Sequence, residues 1–124
     1  MKVTIIILSD PKNGSDEALG RVFNGLAAAY DFKQTGDETS IVFQGAGTRW
    51  IGELNQKEHP AHDLFEAVKD QVAGVSCGCA DVFGATEDVE KSGLDLIKEN
   101  PVPGTRGLAS LRKFAAEGST ILTF

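Results

Sequence analysis

The sequence predicts an α/β protein, a three-layer α/β/α sandwich built on a mainly parallel sheet of five strands. The first observation is the run Lys2–Leu8, which is rich in β-branched residues and has no apolar-polar alternation. Such a run is typical of a strand that is buried on both faces of a parallel sheet. The second is that strand-like and helix-like segments alternate along the chain. With 124 residues, of which 41% are hydrophobic and 24% charged, we expect a single domain over residues 1–124.

The first helix is predicted directly after the turn cluster Ser9–Gly14. Ser15 is a suitable N-cap, because its side chain can accept a hydrogen bond from a free amide of the first helical turn. The apolar residues that follow recur at helical spacing, so we expect them to pack on the sheet, with Phe23 and Tyr30 in the core. The predicted apolar stripe consists of Leu19, Val22, Phe23, Leu26 and Tyr30.

The middle of the chain is predicted to hold the second strand, a loop and the second helix. Thr39–Phe43 has the composition of a strand, and the glycine-containing segment Gln44–Trp50 is the loop that leaves it. We expect irregular structure over Ile51–Glu58. Pro60 suits the first position of the next helix, where the amide hydrogen that proline lacks has no intrahelical partner. The apolar face of that helix is Leu64, Phe65, Val68 and Val72.

Three further strands complete the predicted sheet. The apolar segments that indicate them are Ala73–Ser76, Leu94–Ile97 and Ser119–Phe124. Asn100–Gly104 contains two prolines and a glycine, so it forms a stiff loop and no regular structure. The strand order does not follow from these segments.

The remaining helices are short. Cys79–Phe83 has the apolar spacing of one or two helical turns. We expect a second short helix from a Thr86 cap to Gly93, and a last one from a Thr105 cap to Gly118, because threonine suits the start of a helix and glycine its end. The apolar face of the last helix is predicted to be Leu108, Leu111, Phe114 and Ala115.

Composition excludes several classes of function. A net charge of -6, with 12 basic residues scattered along the chain, provides no phosphate-binding patch, so we expect no nucleic-acid partner. No apolar run approaches the ~20 residues of a membrane span, so we expect no membrane insertion. The apolar opening breaks at Ser9-Asp10-Pro11 without a cleavage site, which indicates a strand and a cytoplasmic protein, not an exported one. No dinucleotide or phosphate-loop fingerprint is present, and we predict no cofactor.

The two cysteines of the chain, Cys77 and Cys79, lie at a predicted strand-to-helix junction. Open α/β folds bind their ligands at such junctions, and the first amides of a helix stabilise a thiolate. Asp81 opposes this effect, because its negative charge lies about one turn further on. In a reducing cytoplasm two cysteines indicate catalytic, redox or metal chemistry over a structural disulfide. The alternative is that both are small buried apolar residues.

A pocket around the cysteines is predicted from the connectivity. In a parallel sheet with right-handed crossovers, the loops Ser9–Gly14, Gly45–Glu58, Cys77–Gly78 and Asn100–Arg106 all lie at one edge. Within these loops Arg49 and Trp50 are candidate walls, the alternative being a solvated arginine and a packed tryptophan. The full set of candidate pocket residues is Ser9, Asp10, Gly45, Gly47, Arg49, Trp50, Gly78, Asp81 and Arg106.

Three segments together resemble the DsrE/DsrF-like family. They are the opening strand Lys2–Ile7, the segment Val75–Gly84 with both cysteines, and the ending Glu117–Phe124, so that the likeness spans the whole chain. The resemblance implies a small cytoplasmic α/β protein with the DsrE-like fold, acting as a sulfurtransferase or sulfur carrier in a sulfur relay. It also implies a homo-oligomer, a trimer or hexamer. Light scattering measures the mass of such an assembly. Sulfur donor and acceptor proteins are the implied partners.

In that family a cysteine just after the third strand carries sulfur as a persulfide, and Cys77 best matches its position, with Cys79 second. Three reasons favour Cys77: it comes first after the strand, Gly78 lets another molecule approach, and the next turn points Cys79 inward. The spacing also permits a strained disulfide in which Cys79 resolves the product.

Two other functions are consistent with the sequence. The four residues Cys77, Cys79, His59 and His62 are of the types that bind zinc or copper, although their spacing is poor for a zinc knuckle. Metal analysis of protein purified without a chelator distinguishes this hypothesis. The third hypothesis is a non-catalytic interaction subunit whose glycine-rich edge packs against identical copies.

Overall fold

The computed structural model, which describes residues 1–124, contains one sheet in which all paired strands are parallel, in the order β4-β3-β2-β1-β5. Helices flank the sheet, so the predicted α/β sandwich with a parallel five-stranded sheet is confirmed. The strands are β1 (Lys2–Ile7), β2 (Glu38–Phe43), β3 (Val72–Ser76), β4 (Leu96–Ile97) and β5 (Thr120–Thr123).

Six α-helices and three short 3-10 helices connect the strands. The 3-10 helices are Pro11–Asn13, Gly45–Arg49 and Lys69–Gln71. No helix is both long and apolar enough to cross a membrane. The α-helices are α1 (Asp16–Gln34), α2 (Trp50–Leu54), α3 (His62–Val68), α4 (Cys77–Val82), α5 (Thr86–Ser92) and α6 (Leu111–Ala116).

β1 is internal to the sheet, as its apolar sequence predicts. Its residues 3 to 7 are all buried, and it pairs with β2 along its whole length, from Lys2 opposite Glu38 to Ile7 opposite Phe43. On its other side it pairs with β5, where Val3 lies opposite Thr120. A continuous apolar run is stable here because both faces and both edges of the strand are covered.

The two faces of the sheet are covered unequally. One face carries a cluster of 19 buried residues, to which α1, α2, α3, α4 and α5 contribute. The other carries a cluster of four, namely Ile6, Val42, Ile97 and Ala109. α6 contains no buried residue. The apolar core therefore lies almost entirely on the α1 side.

The prediction that Phe23 and Tyr30 pack in the core is wrong, because each is 41% exposed. Ser15 caps α1 as expected, its Oγ accepting from the Ala18 N–H at 3.1 Å. The buried stripe is rotated toward small residues because Gly25 lies against the sheet: a Cβ there would be 2.5 Å from the Ile7 side chain. The buried residues of α1 are Ala18, Val22, Gly25, Leu26 and Ala29.

The segment after β2 also differs from its prediction. The residues expected to be irregular include α2, whose buried residues Trp50, Ile51 and Leu54 supply an apolar face. Pro60 is not at a helix start, since the chain makes two further turns, with His59 N–H donating to Gln56 and His62 N–H to His59, before α3 begins. Val72 belongs to β3 and not to the preceding helix.

Two predicted caps are wrong. Thr86 is the first residue inside α5, and its hydroxyl donates to Asp81 at 2.7 Å. Thr105 lies in a loop, and the last helix is capped by Ser110, whose Oγ accepts from the Lys113 N–H at 3.2 Å. A hydroxyl residue suits either a cap or a loop turn, so its tertiary partners determine its role. Gly93 and Gly118 follow their helices with φ of +78° and +82°, as predicted.

Candidate functional site

The carboxyl ends of the parallel strands bring the predicted loops to one edge of the sheet. The two cysteines follow β3 there, in the six-residue helix α4. Both are free thiols and both are buried, with Cys77 0% and Cys79 8% exposed. The burial of Cys79 agrees with its expected inward orientation, and Cys77 is buried as well. Neither cysteine is a member of the two apolar clusters.

Gly78, the residue after Cys77, packs against a loop of its own chain, residues 104–107, which we call the cover segment. The Gly78 N–H donates to the Gly107 carbonyl at 2.8 Å. A Cβ on Gly78 would lie 2.6 Å from a Leu108 methyl and 3.0 Å from the Thr105 Cβ. The close approach that we expected Gly78 to offer to another molecule is thus taken by this chain.

Asp81 and Arg106 form a two-pronged ion pair across the cover segment. Arg106 Nε and Nη2 donate to the two carboxylate oxygens, both at 2.8 Å. This pair, followed by the hydrogen bond from Thr86, lowers the pKa of Asp81 from 3.8 to about 2. The pKa of Arg106 is raised by Asp81 and, next, by the charge of Cys77. The negative charge of Asp81 near the thiols is therefore offset by Arg106.

The Asp81–Arg106 pair makes a stability contribution whose pH dependence has a definite sign. A carboxyl whose folded pKa is about 2, against 3.8 when unperturbed, stabilises the fold above pH 3.8 and loses that effect as pH falls toward 2. We expect Asp81→Asn to melt below wild type at pH 7, by a difference that shrinks below pH 4 and is gone near pH 2. Thermal melts of both proteins measure it, and a difference that stays constant with pH contradicts the assignment.

Arg49, predicted as a pocket wall, instead joins two loops. Its Nη1 contacts both Asp10 carboxylate oxygens at 3.1 and 3.2 Å, and its Nε donates to the Phe83 carbonyl at 2.9 Å. The guanidinium also lies over the Phe83 ring, 5.3 Å from its centre. Desolvation raises the pKa of Asp10, but the hydrogen bond from the Lys12 N–H and the contact with Arg49 outweigh it and hold that pKa below its usual value. Arg49 thus fixes the end of α4 and offsets Asp10, not Asp81.

The predicted pocket divides into two clefts. A cleft of about 250 Å³ lies at the cover segment and contains three of the predicted residues, Gly78, Asp81 and Arg106. Its other lining residues, which were not predicted, are Val82, Gly104 and Thr105. The run Pro103 to Gly107, with two glycines around Thr-Arg, is the sequence signal that indicates them.

The second cleft, of about 300 Å³, lies where β1 and β5 end and α1 begins. It holds Ser9 and Asp10 but neither cysteine. Trp50, predicted as a wall, is 3% exposed and its indole N–H donates to the Ser9 carbonyl at 2.8 Å, so it is a packed core residue. Gly45 and Gly47 line neither cleft.

The residues of the metal hypothesis do not come together. No group of three or more His, Cys, Asp or Glu side chains is placed to hold a metal ion. His59 Nδ1 accepts from the Ala61 N–H at 3.1 Å, and its ring packs edge-on against Trp50. His62 Nδ1 lies 2.7 Å from the Leu54 carbonyl. The fold uses both histidines as structural residues of the α2–α3 connection.

The two thiols point to different sides of α4. A helix turns by about 100° per residue, so residues 77 and 79 project about 200° apart. Cys77 shares its side with Asp81, four residues on, and Cys79 shares its side with Phe83. A disulfide needs converging Cβ atoms, so one between these cysteines requires α4 to unwind. The predicted resolving role of Cys79 is not compatible with the folded helix.

Comparison with known proteins gives two findings. The model of the DsrE/DsrF-like family matches residues 1–124. A protein of Methanocaldococcus jannaschii named "Uncharacterized protein MJ0733" is 32% identical over 123 residues, which are 98% of this chain and 94% of that protein. No solved structure matches this chain significantly.

Proposed function

The chain belongs to the DsrE/DsrF-like family, and from that premise we propose that it is a sulfur-relay protein that carries sulfane sulfur on Cys77. Family membership supports the relay role at the level of the family. The observation that carries the assignment to Cys77 is its place: the first residue after β3, at the carboxyl edge of the sheet, with Arg106 close enough for its charge to be felt.

The chemistry needs only a thiolate and a donor. The Cys77 thiolate attacks the outer sulfur of a donor persulfide, R–S–SH, and a new S–S bond forms at Cys77. The S–S bond of the donor breaks, and its electron pair leaves with the donor thiolate R–S⁻. Sulfane sulfur and its proton move together, so nothing is oxidised or reduced overall. Transfer to an acceptor thiol repeats the same step in reverse, and no metal or nucleotide takes part.

Arg106 supports this chemistry electrostatically. A guanidinium near a sulfur anion interacts favourably with its negative charge, which both the thiolate and the persulfide carry when they react. In the resting protein Arg106 is occupied by Asp81. When Cys77 carries a thiolate or a persulfide anion, that anion and the Asp81 carboxylate both interact with the Arg106 guanidinium.

The assignment is tested by mass spectrometry after incubation with inorganic polysulfide. We expect wild type and Cys79→Ser to gain the mass of one sulfur, and Cys77→Ser to gain none. The gain is removed by dithiothreitol, because a reductant cleaves the new S–S bond. Intact-protein mass gives the measurement directly, and circular dichroism of each variant verifies that it is folded.

A specific observation favours a second candidate, Cys79 as the acceptor, because it is the slightly more exposed cysteine, at 8% against 0%. A mass gain that survives in Cys77→Ser and disappears in Cys79→Ser moves the role to Cys79. If no variant gains sulfur and both thiols alkylate only after unfolding, the cysteines are structural and the proposal fails.

A further inference from the structure

We propose that the cover segment, residues 104–107, is a gate that controls access to Cys77 alone and is held shut by the Asp81–Arg106 ion pair. Its biological meaning rests on the proposed function, since a gated sulfur is protected until a partner opens the gate. The physical basis of the gate does not rest on the proposed function, because it concerns only which thiol a reagent can reach.

The contacts of the cover segment make it a loop closed at its base. Asn100 and Leu108 exchange both backbone hydrogen bonds at 2.8 Å, which fixes the two ends of the loop against each other. Ala109, next to that base, donates to Ser76 Oγ at 3.0 Å and so ties it to β3. These three hydrogen bonds stay in place while the tip of the loop moves.

The tip is internally rigid. The Thr105 hydroxyl donates to the Val102 carbonyl at 2.7 Å and accepts from the Gly107 N–H at 3.0 Å. Gly107 has a φ of +102°, and a Cβ there would lie 2.5 Å from the Lys98 carbonyl oxygen. The segment therefore moves as one flap pivoting near its base and does not unravel residue by residue.

Two polar connections join this flap to α4, beside the packing of Thr105 against Gly78. One is the hydrogen bond from Gly78 to the Gly107 carbonyl, and the other is the Asp81–Arg106 pair. The side chains of that pair are 34% and 52% exposed, so water and salt compete for them. The pair is thus the weak point of the closure, and its rupture frees the flap while the base holds.

The gate acts on one thiol because the two cysteines face different sides of the helix. Cys77 shares the side of Asp81, where the ion pair lies, and is fully buried. Cys79 shares the side of Phe83, which Arg49 holds through the Phe83 carbonyl. Opening the flap thus exposes Cys77 and leaves the surroundings of Cys79 unchanged.

Alkylation by iodoacetamide tests the gate without any sulfur donor. The rate at Cys77 is measured in a Cys79→Ser background and the rate at Cys79 in a Cys77→Ser background, by intact mass. We expect Asp81→Asn to speed alkylation of Cys77 by roughly two- to tenfold, the range for loss of a partly exposed charged pair, and to change Cys79 by less than about twofold. Arg106→Gln gives the same pattern through the other partner.

Glu87→Gln is the matched control. It removes the exposed Glu87–Lys91 pair of α5, whose side chains are 82% and 71% exposed, and we expect no change at either thiol. The gate is overturned if Asp81→Asn speeds alkylation of both thiols equally. It is also overturned if neither Asp81→Asn nor Arg106→Gln speeds alkylation of Cys77. If Asp81→Asn speeds alkylation of Cys77 alone, but the protein takes up no sulfur from polysulfide, the gate is supported and the proposed function is rejected. Failure of the gate and failure of the proposed function are therefore distinguishable.

Discussion

We expect Gly47→Ala to lower the free energy of unfolding by about 3 kcal/mol, measured by urea denaturation. Gly47 follows β2 and lies against the end of β1, where a Cβ would be 2.2 Å from the Ile7 carbonyl oxygen and 2.8 Å from its carbon. These are backbone atoms of a fully buried strand, so they cannot move aside cheaply. The same carbonyl accepts the Gln44 N–H at 3.0 Å, and displacing it weakens that buried bond as well.

Gly20→Ala is the matched control for this variant. Gly20 lies within α1, and a Cβ there would meet no atom within 4 Å. Alanine is the better helix former by about 0.8 to 1 kcal/mol, so the control should be stabilised by about that amount. Equal effects of the two substitutions would show that the approach of Gly47 to β1 is not a real contact.

The second large effect is expected for Phe43→Ala, which should cost about 3 to 5 kcal/mol in free energy of unfolding. Phe43 is fully buried at the end of β2 and packs edge-on against Phe65, with ring centres 6.2 Å apart. Truncation removes a large apolar surface and leaves a cavity that the neighbouring strands cannot close. Chemical denaturation of purified variants gives the value.

Phe23→Ala makes the same chemical change at an exposed position. Phe23 is 41% exposed, and we expect its loss to cost about 1 kcal/mol or less. The helical periodicity of the sequence places Phe23 in the core and predicts a cost as large as that of Phe43. The ratio of the two values therefore discriminates directly between the sequence pattern and the observed fold.

The fold class was predictable because it depends on local patterns. β1 is a long β-branched run, and Gly93 and Gly118 end their helices by a backbone requirement that other residues meet poorly. Phe23 was assigned to the core wrongly, because helical spacing does not define which residues at the margin of an apolar stripe are buried. The rotation of the stripe was decided by Gly25, whose lack of a side chain lets α1 approach Ile7.

The candidate site was predictable only as a set of neighbours. Parallel connectivity brings Cys77, Asp81 and Arg106 to one edge, and the structure pairs Asp81 with Arg106 beside Gly78, the residue after Cys77. Which arginine serves which carboxylate depends on tertiary distances that no local pattern encodes, so Arg49 pairs with Asp10 and only Arg106 reaches Asp81. The loop Asn100–Arg106 was expected at this edge, but its contact with Gly78 was not, because that contact is a long-range backbone hydrogen bond.

The pairing of β1 with β5 has a consequence for synthesis on the ribosome. β1 is translated before β5, yet Val3 pairs with Thr120, and Leu8 donates to the Phe124 carbonyl at 2.7 Å, so one edge of this apolar strand stays unpaired until residues 120–124 have been made. During that interval β1 can pair with β2 but exposes the backbone of Val3 to Ile6 on its other side. An unpaired apolar edge favours strand addition by other nascent chains, so we expect this chain to be most prone to aggregation before β5 pairs with β1.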